Sequence, residues 1–135
     1  QVLNLMLEAK EERGLSYLFI THDLSVVQHF GTKVAVLYLG SVCELSDTAT
    51  LFENPKHPYT RALLSAVPQL KDDHPNHIRL RGEIPTPINL PPGCPFESRC
   101  AHANSRCQSE QPRPQLQPDG ALVACHAVEE GRLDG

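Results

Sequence analysis

The chain has 135 residues, enough for one domain or two small ones. Its formal net charge is −4, so the composition offers no basic stripe for binding nucleic acid. Apolar residues make up 40% of the chain and charged residues 21%, which is typical of a soluble protein, and no apolar run approaches the roughly eighteen residues that a membrane-spanning helix needs.

The first predicted element is a helix. Apolar residues recur there at helical spacing, at Val2, Leu5, Met6 and Ala9. Gly14 suits the left-handed residue that often ends a helix. The chain begins at Gln1, without an initiator methionine and already in this helical pattern, which predicts a fragment of a longer protein.

Residues 15–20 form a nearly continuous apolar run that leads into Thr21, His22 and Asp23. Such a run predicts a strand buried on both faces, as in a parallel sheet. Open α/β sheets bind ligands at the carboxyl ends of their strands, so His22 lies where an imidazole can meet a bound nucleotide. The alternative is that Asp23 simply caps the helix that begins at Leu24, by accepting hydrogen bonds from its free N–H groups.

Short elements are predicted next. A helix covers residues 24–30, a strand covers residues 34–39, and the antiparallel partner of that strand covers residues 41–45. A further short helix covers residues 48–52. Pro58 then opens another helix, because a proline at the first helical position loses no hydrogen bond.

We interpret His57 and Tyr59, at the start of that helix, as capping and packing residues. The composition changes after Val67, where proline becomes frequent. One strand-like patch is predicted at residues 78–80, and residues 83–92 indicate an extended, proline-stiffened linker.

Four of the five cysteines lie near the end of the chain, at Cys94, Cys100, Cys107 and Cys125, with five, six and seventeen residues between them. Large apolar residues are too few here to build a core, so we expect a cross-link such as four thiolates on one metal. The spacing leaves a four-thiolate zinc site, a [4Fe–4S] cluster and two disulfides open. Grouped cysteines in a chain without a recognisable secretory signal favour a metal. We interpret Cys43 as a small buried hydrophobe.

Three strings in the chain resemble one protein family. Leu-Phe-Ile-Thr-His-Asp at residues 18–23 resembles the switch-histidine region of ATP-binding-cassette (ABC) ATPases. Asn-Pro-Lys-His-Pro-Tyr-Thr-Arg-Ala-Leu-Leu at residues 54–64 is similar to a hallmark of the oligopeptide/dipeptide importer subfamily. Gly-Cys-Pro-Phe-Glu-Ser-Arg-Cys at residues 93–100 resembles the C-terminal extension of its ATP-binding subunits.

This resemblance implies an α/β fold class, in which the C-terminal fragment of an ABC-type P-loop ATPase domain is followed by a small irregular cysteine-rich extension. Residues 1–68 would be the C-terminal part of the nucleotide-binding domain, residues 69–93 a proline-rich linker, and residues 94–135 the four-cysteine extension.

The resemblance also implies a function. The parent would be the ATP-hydrolysing subunit of a peptide importer, peripheral at the cytoplasmic face of the membrane, which uses ATP and Mg²⁺. Its partners would be transmembrane permease subunits and a second ATP-binding subunit. His22 would be the catalytic switch histidine near the γ-phosphate. Cys94, Cys100, Cys107 and Cys125 would hold a [4Fe–4S] cluster, with zinc as the alternative.

Several ATPase motifs do not occur in the sequence. There is no Gly-x-x-x-x-Gly-Lys-Ser/Thr phosphate loop (Walker A), no Walker B segment and no signature motif. We therefore expect this polypeptide alone to be inactive toward ATP. The alternative function is a stand-alone zinc or iron–sulfur module, or a regulatory docking module, with no ATPase role.

Overall fold

The computed structural model describes residues 2–67 and 78–133. In chain order its elements are α1 (Val2–Arg13), α2 (Leu24–Phe30), β1 (Lys33–Tyr38), β2 (Ser41–Asp47), α3 (Thr48–Glu53), α4 (Pro58–Ser65), a 3₁₀ turn (Glu97–Arg99), α5 (Ser105–Ser109), β3 (Gln115–Leu116), β4 (Leu122–Val123) and α6 (His126–Glu129). The predicted mixed α/β class is confirmed. None of the helices within the two described ranges has the length and apolar content needed to cross a membrane.

The strands in the described part of the chain form one four-stranded antiparallel sheet in the order β1-β2-β4-β3. β1 and β2 form a hairpin whose turn residues, Leu39 and Gly40, have φ angles of 49° and 80°. Positive φ at both residues is typical of a type I′ turn, which matches the twist of the flanking strands. β4 pairs with the other edge of β2, where Glu44 lies opposite Val123. The sheet therefore joins residues from both sides of the predicted linker.

The alternating pattern of β1 builds the main core. Alternate residues of this strand, Val34, Val36 and Tyr38, are buried because successive side chains point to opposite faces. Val34 and Val36 pack with Leu51 of α3. Tyr38 packs against Phe96, with ring centroids 5.2 Å apart. The cysteine-rich part is thus docked on the hairpin by an aromatic contact.

The prediction of a buried strand at residues 15–20 is wrong. These residues form no strand, and the side chains of Leu18 and Ile20 are 93% and 91% exposed. Tyr17 and Phe19 point the other way and contact the ring of Phe30, at centroid distances of 5.7 and 5.5 Å. A β-prone run forms a strand only where a neighbour completes its hydrogen-bond ladder, and no such neighbour lies beside it among the described residues.

Most short elements agree with their predictions. α1 ends at Gly14, which has a φ of 64° and donates its N–H to the carbonyl of Lys10 at 3.0 Å. α2, α3, α4 and the hairpin lie within a few residues of their expected positions. These elements were predictable because caps, proline and glycine act locally.

The predicted linker is only partly described. Its residues 78–93 contain no helix or strand, so the strand-like patch expected at residues 78–80 is wrong. The proposed boundary at residue 68 and residues 69–77 lie outside the described residues. The division into three parts stays a prediction.

The cysteine-rich part has a small core of its own, contrary to the expectation that it lacks one. The buried cluster consists of small residues, Ala121, Val123, Cys125 and Ala127. Leu133 and Val128 pack against its rim. Small side chains on β4 and α6 allow close backbone packing. The small number of large apolar residues therefore did not predict this core.

Candidate functional site

His22 lies exposed in the turn that precedes α2. Thr21 Oγ1 accepts the N–H of Asp23 at 3.0 Å. The carboxylate of Asp23 accepts the N–H groups of Ser25 and Val26 at 3.0 and 3.4 Å, which confirms the capping interpretation. The turn is therefore held on both sides of His22, while the imidazole remains open to a ligand.

The four clustered cysteines come together in the fold. Electrostatic interactions between the thiols shift their pKa values, and these interactions link every pair among Cys94, Cys100, Cys107 and Cys125. The pKa of Cys94 is raised to about 11, mainly by burial and in smaller part by the other three thiols. Burial is also the main cause of the raised pKa values of Cys100 and Cys125. Residues that are far apart in sequence thus share one small region.

A close backbone contact brings Cys94 and Cys107 together. The N–H of Cys94 donates to the carbonyl of Cys107 at 2.8 Å. A Cβ on the preceding Gly93 would lie 2.1 Å from that carbonyl oxygen, so only glycine fits there. Asn104 caps α5 by accepting the N–H of Cys107 at 3.2 Å. Cys125 follows β4 and occupies the cap position of α6.

Backbone N–H groups lower the pKa of three of the four thiols. The donors are Phe96 for Cys94, His102 for Cys100, and Ala127 and Val128 for Cys125. The His102 contact is 3.4 Å long. These hydrogen bonds lower the thiol pKa and so oppose the effect of burial, because an N–H donor stabilises a thiolate. Donors to sulfur are also a feature of metal–thiolate sites.

All five cysteines are free thiols in this structure. Among the residues that the structure describes, no group of three or more His, Cys, Asp or Glu side chains has an arrangement that could hold a metal ion as it stands. The metal site therefore stays a prediction.

Cys43 is confirmed as a buried residue, with a side chain packed beside Tyr38 and Phe96. Burial raises the pKa of its thiol to about 12, with further contributions from Cys94 and Cys125. It is therefore a protonated fifth thiol close to Cys94 and Cys125. The spacing of the cysteines in the sequence does not predict this proximity, because Cys43 lies on β2, outside the cysteine-rich part of the chain.

His57 and Glu44 connect β2 to α4. The Nδ1 atom of His57 accepts the N–H of Tyr59 at 3.0 Å, and burial lowers the pKa of the ring to about 4, so it is neutral. The fully buried carboxylate of Glu44 accepts the N–H groups of Lys56 and His57 at 3.0 and 3.1 Å. The capping role predicted for His57 is confirmed. Glu44 was not predicted, because nothing local marks a carboxylate in a strand as buried.

A cavity of about 30 Å³ lies beside Cys43 and Cys94. Its lining includes Tyr38, Cys43, His57, Cys94 and Phe96. The hydroxyl of Tyr38 is buried and has no hydrogen-bond partner among the described residues. Ligand pockets usually enclose about 300–1,000 Å³, so this cavity suits a water molecule and not a nucleotide or peptide.

Comparison with known proteins identifies the class. Residues 43–107 match the family model described as "Oligopeptide/dipeptide transporter, C-terminal region". The dipeptide transport ATP-binding protein DppF of Escherichia coli is 52% identical over 132 residues, which cover 96% of this chain and 39% of that protein. DppF of Haemophilus influenzae is 49% identical over 130 residues, covering 96% and 40%.

The oligopeptide transport ATP-binding protein OppF of Haemophilus influenzae is 43% identical over 131 residues, covering 95% of this chain and 40% of that protein. The chain thus spans about two fifths of the length of these curated relatives. It belongs to the ATP-binding proteins of the oligopeptide/dipeptide transporter family and corresponds to their C-terminal part.

Proposed function

We propose that this chain forms the C-terminal part of the ATP-hydrolysing subunit of an ABC importer for dipeptides or oligopeptides. The match over 96% of the chain to a dipeptide transport ATP-binding protein carries the proposal. In this role the subunit binds ATP and Mg²⁺ and lies at the cytoplasmic face of the membrane. It works with transmembrane permease subunits and a second ATP-binding subunit.

His22 is the proposed switch histidine. Phosphoryl transfer depends mainly on positioning and charge stabilisation, so a side chain that contacts the γ-phosphate needs a fixed backbone and an open face. The capped turn and the exposed imidazole meet both requirements. Asp23, whose carboxylate is engaged by α2, maintains the turn.

The test compares His22→Gln with His29→Gln in the full-length subunit assembled with its partners. His29 is an exposed histidine in α2 and serves as the matched control. We expect His22→Gln to lower ATP turnover about a hundredfold, as the loss of one transition-state contact does, while ATP binding persists. Unchanged turnover would contradict the role of His22 and favour a metal-binding or docking module with no ATPase role.

The second part of the proposal concerns the metal. Cys94, Cys100, Cys107 and Cys125 hold a [4Fe–4S] cluster, for which the four-thiolate donor set and the N–H groups directed at the sulfurs are suited. Zinc is the alternative for the same donors. When bound, the cluster supplies a cross-link and one-electron redox chemistry. The protein's contribution is to bring the four thiols into one region of the fold.

Iron and acid-labile sulfide analysis of anaerobically purified protein tests this assignment, together with visible absorption. We expect about four iron and four sulfide per chain in the wild type, and most of both to be lost in Cys100→Ala. Cys43→Ala is the matched control, since it removes a neighbouring thiol outside the ligand set. Colourless wild-type protein with stoichiometric zinc would overturn the cluster in favour of zinc.

A further inference from the structure

The cavity beside Cys43 and Cys94 lies where two parts of the chain meet. The hairpin contributes Tyr38, Ser41 and Val42 to its lining, and the cysteine-rich part contributes Phe96 and Gln111. Val42 and Gln111 are exposed, so the cavity can be reached from solvent beside them. A small molecule bound here can therefore contact both parts of the chain at once.

A buried hydroxyl belongs to this lining. Tyr38 is only 4% exposed, and its hydroxyl has no hydrogen-bond partner among the described residues. The ring makes edge-to-face contacts with the rings of Tyr59 and Phe96, at centroid distances of 4.8 and 5.2 Å. These contacts prevent the ring from swinging its hydroxyl out to solvent. Because an unpaired buried hydroxyl is costly, we expect its partner to come from outside the chain.

The chemistry of the lining limits what this partner can be. The described residues that line the cavity include no Asp, Glu, Lys or Arg, so nothing there compensates the charge of an ion. His57 is neutral, and its Nδ1 already accepts the N–H of Tyr59 at 3.0 Å. A volume of about 30 Å³ is too small for an organic ligand, whereas a water molecule needs about 10–15 Å³. The cavity therefore suits a neutral, polar molecule of the size of water.

We propose that a resident water molecule binds in this cavity and bridges the hydroxyl of Tyr38 to the side-chain amide of Gln111. Ser41, also in the lining, supplies a third polar side chain, and ordered buried waters usually make two to four hydrogen bonds. The water thus links the hairpin to the cysteine-rich part at nearly the strength of a direct hydrogen bond. The inference depends on neither ATP nor a metal.

The sign of one substitution tests the hydrogen bond at Tyr38. Urea unfolding of the full chain is compared for wild type, Tyr38→Phe and Tyr17→Phe, where Tyr17 is a partly exposed tyrosine that serves as the matched control. We expect Tyr38→Phe to raise the unfolding equilibrium constant about fivefold, because it removes one hydrogen bond, and Tyr17→Phe to leave it unchanged. An unchanged or lower constant for Tyr38→Phe would overturn the inference, since removing an unpaired hydroxyl costs nothing.

A double-mutant cycle tests the bridge to Gln111. The two side chains interact through the water, so Gln111→Ala should raise the unfolding constant in the wild-type background and have little effect in the Tyr38→Phe background. Effects that simply multiply would overturn the bridge, because independent sites behave in that way.

A crystal structure of the wild-type chain at a resolution that shows ordered water supplies the direct observation. We expect a water oxygen about 2.7–2.8 Å from the hydroxyl oxygen of Tyr38 and within hydrogen-bonding distance of the Gln111 amide. The same water should be missing or displaced in Tyr38→Phe. A Tyr38 hydroxyl with no water density beside it would overturn the inference.

Discussion

Gly93 offers the sharpest test of how the cysteine site is built. Its backbone passes so close to α5 that an added Cβ would lie 2.1 Å from the carbonyl oxygen of Cys107 and 2.6 Å from the carbonyl carbon of Gln108. Real Cβ contacts begin near 3 Å, so Gly93→Ala must move the backbone by about 1 Å. Both obstacles are backbone atoms, which cannot turn aside as a side chain can.

The energetic cost follows from that movement. Overpacking of this kind costs about 1–3 kcal/mol. The hydrogen bond from Cys94 to Cys107, now 2.8 Å long, would stretch beyond bonding distance at a further cost of about 1 kcal/mol. We therefore expect Gly93→Ala to lower the free energy of unfolding by about 2–4 kcal/mol, and to move Cys94 away from the other thiols.

Urea denaturation and iron analysis measure the two effects. Gly120→Ala is the control: Gly120 has a φ of 90° but open space around its Cβ position, so alanine there pays only the conformational cost of about 1 kcal/mol. The control should keep its full iron content. Equal stability and equal iron content in the two variants would refute the reasoning, since they differ in the steric conflict at Gly93.

Three further predictions concern buried groups. Glu44→Gln should cost about 1–3 kcal/mol of unfolding free energy in urea, because one of its N–H donors loses a carboxylate oxygen, and the exposed Glu53→Gln should cost almost nothing. With its pKa raised to about 12, the Cys43 thiol should react with iodoacetamide about a thousandfold more slowly than a free cysteine, as followed by mass spectrometry; fast labelling of native protein would contradict its burial. The pKa of His57 falls from 6.5 to about 4 on folding, so its contribution to stability is complete above pH 6.5 and about 3 kcal/mol is lost as pH drops to 4. His57→Gln should lack that part of the pH dependence in unfolding titrations, and an identical profile would show that the ring is not the cause.

Local signals in the sequence predicted much of the fold. Asp23 caps α2, Pro58 opens α4 and Gly14 ends α1, since each acts through groups within a few residues of itself. The strand prediction for residues 15–20 was wrong because a strand needs neighbouring strands to pair with, and periodicity does not show whether such neighbours are present. Local pattern therefore describes helix ends well and strand pairing poorly.

The candidate site depended on long-range contacts and was only partly predictable. The number and grouping of the four cysteines identified them in the sequence. The contact of Gly93 with Cys107, which brings Cys94 close to Cys107, joins separate elements and was not predictable. Glu44 binds backbone groups twelve and thirteen residues away, and Arg132 reaches His102 across thirty residues. No sequence window reveals such pairs.

The central position of β2 has a consequence for how the molecule comes apart. This strand has β1 on one edge and β4 on the other, and the N–H of Ala124 continues the second ladder to Cys43 at 2.9 Å. Detaching the C-terminal strands would leave an open edge on β2, and detaching the segment that carries Phe96 would uncover Tyr38. The hairpin and the thiol-bearing segment therefore melt as a single cooperative unit, and amide protons in both should exchange with deuterium at a shared rate.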